Sequence, residues 1–249
     1  MTEKEKGKRQ KAKVNNHLFA GTFFLLPFTF CLLSQAAAPA TQPSQQVKTW
    51  LDQLADPTAT VRESAREHLM SLSAADLPTL ERVVAGSRPL KPAQRATLRP
   101  IVDHLFKSGI AYEPSAAGEG FLGVTWSYLE WDLSTDHKSG VIVTECESGF
   151  PAYRLLKPGD IIDGIDGLDH IKFDDDNSQF QFAIRSFQPG QTITLKVRRN
   201  GEPLEIPILL RPRPAGVETV DSVAAWRQEL QELADQYWNE HFSHIGGPA

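Results

Sequence analysis

Cysteine is scarce in this sequence of 249 residues, which contains Cys31 and Cys146 and no other. Cys31 lies in an apolar N-terminal stretch, so the rest of the chain has no second thiol for a disulfide or a cysteine-based zinc site. His-Glu-x-x-His and Gly-x-Ser-Gly-Gly motifs do not occur, so the usual signatures of zinc peptidases and chymotrypsin-type proteases are missing. The acidic run 174–176 lacks the terminal Glu of a calcium loop. The sequence therefore predicts no metal, no other cofactor and no catalytic residue.

Positive charge is also in short supply. Lys and Arg total 26 against 31 Asp and Glu, and six of the basic residues lie within residues 1–38, beside two acids. The remainder holds 20 basic and 29 acidic residues, which is a formal net charge of −9. Because such an acidic surface repels a phosphate backbone, we expect no nucleic acid partner.

One apolar run, residues 18–33, follows a basic stretch and precedes a series of small residues. This order is typical of a secretory signal peptide over residues 1–38, with cleavage after Ala36 or Ala40. The run is interrupted by Pro27 and is shorter than the roughly 20 residues that span a bilayer. An uncleaved N-terminal membrane anchor is the alternative. The expected location is periplasmic or secreted, and membrane contact is expected only if this segment is retained.

Residues 45–110 carry apolar side chains at helical spacings of three and four. The pattern predicts a small all-α unit of four short helices at about 47–54, 61–72, 77–86 and 92–109. Asp56 is expected to cap the second helix, with Pro57 in its first turn. The segment from Asp56 to Leu69 resembles the hinge and second helix of a HEAT-type repeat. A plain helical bundle is the alternative, since a solenoid normally needs three or more repeats.

Strand and turn signals follow a second linker at 113–118. Five β-rich runs occur at 121–126, 140–144, 160–165, 192–198 and 204–210, whereas 178–187 has a helical pattern. Asn200-Gly201 predicts a hairpin between the last two runs, because both residues tolerate positive φ. A final helix is predicted over 219–243, and we expect it to dock on the helical unit. The β-rich region before it and a second copy of the chain are the alternative docking surfaces. Its apolar stripe consists of Val223, Trp226, Leu230, Leu233 and Tyr237.

Three motifs in this region carry a family resemblance. They are Gly120-Phe121-Leu122-Gly123-Val124, then Ser139-Gly140-Val141-Ile142-Val143, then Leu156-Lys157-Pro158-Gly159-Asp160-Ile161-Ile162-Asp163-Gly164-Ile165-Asp166-Gly167. Their order over residues 118–212 resembles a PDZ domain of the bacterial, circularly permuted type found behind HtrA-like serine proteases. The resemblance implies an α+β fold: the all-α unit, a PDZ-like, partly open β-barrel of five or six strands with one main helix, and the C-terminal helix.

The same resemblance implies a peptide groove. The N–H groups of Leu122, Gly123 and Val124, in the loop that begins at Phe121, would hold the carboxylate at a peptide's C-terminus. The peptide would add as a strand beside Val124, Thr125 and Trp126. The helix opposite would supply Phe180, Ala183, Ile184 and Phe187 to the groove and its core, which favours an apolar terminal residue. The alternative is a strand whose groove is closed by a neighbouring segment.

These features together predict an exported, non-catalytic adaptor that binds protein C-termini or extended peptides. Two alternatives stay open. In the first, the chain is a regulatory subunit of a separate envelope protease. In the second, it is a structural assembly protein with a closed groove.

Overall fold

The computed structural model describes residues 43–133, 136–168, 178–217 and 220–243. The predicted signal peptide or anchor, Cys31 and the acidic run 174–176 lie outside these ranges. Within them, no helix combines the length and the apolar character needed to cross a membrane.

Four α-helices make up the N-terminal part: α1 (Pro43–Gln53), α2 (Ala59–Met70), α3 (Leu77–Gly86) and α4 (Pro92–Gly109). Their apolar positions form one core, as the spacing predicts. The expected start of the second helix is wrong, because α2 begins at Ala59 and Pro57 precedes it. Asp56 instead accepts a hydrogen bond of 2.8 Å from the N–H of Thr58. The HEAT-like character of this unit stays a prediction.

An open antiparallel sheet forms the second part of the chain, in the order β2-β3-β4-β5-β6. Its strands are β2 (Val124–Leu133), β3 (Asp136–Cys146), β4 (Ile161–Ile165), β5 (Thr192–Arg199) and β6 (Glu202–Leu209). A separate pair joins β1 (Gly120–Phe121) to β7 (Arg211–Pro212), and two helices, α5 (Pro151–Leu155) and α6 (Ser178–Ser186), complete this part. The predicted α+β fold class is confirmed. Asn200 and Gly201 both have positive φ in the β5–β6 hairpin, also as predicted.

A second core lies between the sheet and α6, where Val141, Ile162 and Leu195 from the strands meet Phe180. One carboxylate is buried at its edge. Asp160 is 1% exposed and accepts two hydrogen bonds, of 2.8 and 2.7 Å, from the guanidinium of Arg199. It also accepts a 2.8 Å hydrogen bond from the N–H of Lys157. This bidentate pairing offsets the cost of burying the charge.

The two edge strands of the sheet differ in their ability to accept another strand. β6 contains Pro203 and Pro207, which have no N–H to donate and therefore blunt that edge. β2 contains no proline, and no strand in the described ranges pairs with its outer edge. An added strand would therefore pair with β2.

The C-terminal helix α7 (Val220–His241) docks on the helical unit, as predicted. Phe242, directly after it, is fully buried in the helical core. Asp235 forms an ion pair with Arg99 of α4. The predicted stripe needs one correction, because Leu233 is 41% exposed and Ala234 is buried in its place.

His104 links the helical unit to the sheet. It lies on α4, is 6% exposed, and its Nδ1 accepts a 3.1 Å hydrogen bond from the N–H of Gly149. Its ring stacks on Tyr153 at 5.2 Å between centroids. Burial, together with the cations of Arg154 and Arg66, lowers the pKa of His104 from 6.5 to about 4. The imidazole is therefore neutral in the folded protein at pH 7.

Lowering the pH from 7 to 4 should weaken folding through His104. In that range the unfolded chain binds a proton that the folded chain does not, so stability is full above about pH 6.5 and is lost as the pH falls. The expected loss is about 3 kcal/mol in the free energy of unfolding by pH 4. Urea unfolding across this range tests it against His104→Asn, whose amide oxygen keeps an acceptor for Gly149. Equal losses in both proteins would contradict the assignment.

Candidate functional site

A pocket of about 350 Å³ opens where the loop between β1 and β2 meets α6 and α7. Seven of the ten predicted site residues line it: Phe121, Leu122, Gly123, Val124, Thr125, Trp126 and Ile184. The loop, the first residues of the edge strand and α6 therefore come together at this pocket.

Gly120 anchors the loop on α6. Its N–H donates a 2.9 Å hydrogen bond to the carbonyl of Phe187, at the end of that helix. A Cβ at Gly120 would lie 2.8 Å from the same carbonyl oxygen and 3.1 Å from that of Ile184. Only glycine permits so close an approach of the backbone to these carbonyls. Gly120 therefore allows the loop to lie directly against α6, which forms one wall of the pocket.

Gly123 sets the direction of the loop's N–H groups. It has a φ of 74°, and its carbonyl accepts a 2.8 Å hydrogen bond from the N–H of Glu147, beyond the end of β3. In a trans peptide the N–H points opposite to the carbonyl, so the N–H of Val124 points away from β3. In the described part of the chain, the N–H groups of Leu122 and Gly123 find no backbone acceptor. Consecutive donors of this kind are what an anion-binding nest requires.

An aromatic cluster supports the loop from behind. Phe150 is 3% exposed and contacts Phe121 edge-on, with ring centroids 5.1 Å apart. The rings of Trp226 and Tyr112 lie 5.9 and 6.3 Å from that of Phe150. A Cβ added at Gly123 would lie 2.6 Å from the Cβ of Phe150, so the loop has no spare room on this side.

The wall formed by α6 differs in detail from the prediction. Gln181, Ile184 and Arg185 line the pocket, at the three- and four-residue spacing of one helix face. Phe180 is buried in the core and stacks edge-on against Trp126 at 5.1 Å, so it supports the strand from below. The other two predicted positions, Ala183 and Phe187, are partly buried against the core and do not line the pocket.

The opposite wall comes from α7, which the sequence interpretation did not include. Arg227 donates a 2.6 Å hydrogen bond to the hydroxyl of Thr125 on β2. Its guanidinium also lies 3.0 Å from the Glu145 carboxylate and forms an ion pair with Glu147. Burial raises the pKa of the Glu147 carboxyl, and the Arg227 cation opposes that shift. The pocket side chains from this part of the chain are Val217, Val223, Ala224, Trp226 and Arg227.

Three guanidinium groups line the pocket, from Arg185, Arg213 and Arg227, against one carboxylate, Glu147. Arg213 is 6% exposed and donates to the Glu119 carboxylate at 3.2 Å and to the Val217 carbonyl at 2.8 Å. Glu119 and Glu145, which neutralise part of this charge, lie outside the lining. Together with Glu147, these two carboxylates pair with the three guanidinium groups, so the formal charges around the pocket cancel.

Sequence reasoning missed the charged and C-terminal part of the lining. The apolar stripe of α7 did indicate that Val223 and Trp226 are buried, but such a stripe does not name the surface it meets. No local motif marks Arg213 or Glu147. Arg213 directly follows β7, whose pairing with β1 brings the two ends of this region together. Glu147 is placed by the hydrogen bond from its N–H to the carbonyl of Gly123.

Comparison with known proteins finds similar sequences for this region. Residues 120–210 match the PDZ domain family. A probable periplasmic serine endoprotease DegP-like protein of Chlamydia pneumoniae is 31% identical over 137 residues, which is 52% of this chain and 26% of that protein. A protein of the same description from Chlamydia trachomatis serovar D is 31% identical over 130 residues, 50% of this chain and 23% of that protein.

The matches extend to one plant protein and to a solved structure. The putative mitochondrial protease Do-like 11 of Arabidopsis thaliana is 26% identical over 125 residues, 45% of this chain and 22% of that protein. The HtrA-type protease AlgW with a decapeptide is 25% identical over 48% of this chain and 35% of its own, with a TM-score of 0.30. The chain thus spans about a quarter of the curated relatives it matches.

Proposed function

We propose that the chain is an exported, non-catalytic adaptor that captures protein C-termini or extended peptides, because residues 120–210 match the PDZ domain family. One observation carries this proposal. The loop from Phe121 to Val124 presents N–H groups without backbone acceptors in the described part of the chain, beside a mainly apolar pocket and the unpaired edge of β2.

The bound peptide follows from this arrangement. Its carboxylate accepts hydrogen bonds from Leu122, Gly123 and Val124, and its backbone pairs with the outer edge of β2. Main-chain bonds then supply affinity, while alternate side chains supply specificity. Leu122 and Ile184 face the terminal side chain, so an apolar terminal residue is expected.

The carboxylate assignment is tested with paired peptides. A short peptide with a free C-terminus and an apolar last residue should bind with a Kd of about 1 µM, the scale expected for one added strand. Its C-terminal amide, which lacks the charged acceptor, should bind about tenfold or more weaker. Fluorescence anisotropy of labelled peptides measures both constants. Equal binding of acid and amide would refute the carboxylate assignment.

Export is supported by the order of charged, apolar and small residues at the N-terminus. The chlamydial relatives are described as periplasmic, which agrees with that interpretation.

A regulatory subunit of a separate envelope protease is the second candidate, because the curated relatives are described as proteases. Proteolytic activity that copurifies with the chain, and is lost on its removal, would favour this role over a general adaptor. The structural alternative with a closed groove is the third candidate, because α7 lies against the start of β2, where Arg227 binds the hydroxyl of Thr125.

A further inference from the structure

One wall of the peptide pocket comes from outside the PDZ region, in the first part of α7. Resting on the proposed function, we propose that α7 is a specificity-determining wall that limits the size of the peptide's terminal side chain. The residues that carry this role are Val223, Ala224 and Trp226.

The direction of the bound strand places its last residue against α7. The peptide carboxylate lies at the loop, where β2 begins, so the peptide runs antiparallel to β2 and ends beside Val124. Its terminal side chain then enters the 350 Å³ pocket, whose walls include Ile184 of α6 on one side and Trp226 of α7 on the other. A side chain too large for this space would have to displace the helix.

Displacement of α7 is opposed at both of its ends. Near its start, Arg227 binds Thr125, Glu145 and Glu147. Beyond its last turn, Phe242 is fully buried in the helical core. A wall held in this way has a fixed position, and a pocket of fixed size discriminates between apolar side chains that differ by one or a few methylenes.

Two neighbouring alanines on α7 allow a matched test. Both are exposed, but Ala224 lines the pocket and Ala225 does not. Ala224→Leu fills part of the pocket, while Ala225→Leu makes the same chemical change outside it, and leucine is a good helix former in both places. Affinities are measured for free-acid peptides that differ only in their last residue: Ala, Val, Leu or Phe.

Ala224→Leu should weaken binding of the Phe peptide relative to the Ala peptide by about tenfold or more, and Ala225→Leu should keep the wild-type ratio. Trp226→Ala should shift preference the opposite way, towards Phe. An unchanged ratio of Phe-peptide to Ala-peptide affinity in Ala224→Leu overturns the inference about α7, whether or not Trp226→Ala folds. The proposed function fails separately, if the unaltered protein binds acid and amide peptides equally.

Discussion

Replacing Gly123 by Val should abolish peptide binding, raising Kd by about 100-fold or more, which is about 3 kcal/mol. The loop adopts a φ of 74° at this position, a region that β-branched residues strongly disfavour. Relaxing that strain rotates the peptide planes on both sides, so the donors of Leu122, Gly123 and Val124 no longer converge on one carboxylate. Fluorescence titration with the free-acid peptide measures the loss.

The structure also changes what this variant should do to stability. A Cβ at Gly123 would lie 2.6 Å from Phe150 in the aromatic cluster, which is closer than side-chain atoms normally approach. We therefore expect a lower melting temperature as well as lost binding.

Gly167→Ala is the control for backbone strain, since Gly167 has a φ of 79° and open space where a Cβ would lie. It should lose about 1 kcal/mol of stability and keep its affinity.

Wild-type affinity in Gly123→Val would contradict the loop assignment. Loss of cooperative unfolding in that variant would show that Gly123 is required for folding.

Local patterns predicted most of the fold because their physical cause is local. The helical unit follows from apolar spacing, and the β5–β6 hairpin follows from Asn200-Gly201. The β2–β3 hairpin is longer than its apolar runs, extending to Leu133 opposite Asp136. On β3, strand β4 pairs only with Val141 and Ile142. No third strand among the described residues therefore lies beside the outer part of the hairpin to impose an alternating pattern.

The candidate site was predictable where one segment forms it and unpredictable where distant segments meet. The loop at Phe121–Val124 carries its own signal. Which face of α6 borders the pocket depends on how that helix sits against the sheet, so Phe180 is in the core and Gln181 is at the pocket. On α7 the buried face repeats every four residues, at Leu230, Ala234 and Trp238. Leu233 does not lie on that face and is therefore exposed.

Removing α7 by truncation after Pro214 should expose the helical core and cause aggregation or a large fall in melting temperature. The single change Phe242→Ala isolates the main contact. Phe242 is fully buried in that core, so its loss should cost about 3–5 kcal/mol, or about 10 °C in melting temperature for a protein of this size. Leu233→Ala, on the exposed face of the same helix, should change stability by less than about 0.5 kcal/mol.

The same truncation should impair peptide binding, because α7 serves both the helical core and the pocket. Its end is fixed by Phe242, and its start carries Trp226 and Arg227 to the loop and to Thr125. Phe242 lies beyond the far end of the helix from Arg227, so we expect a weaker affinity in Phe242→Ala to reach the pocket through α7. Binding titrations below the melting transition, combined with amide hydrogen exchange along α7, test this coupling. A truncated chain that stays monomeric, melts as the full chain does and binds peptide normally would show that α7 neither stabilises the fold nor shapes the pocket.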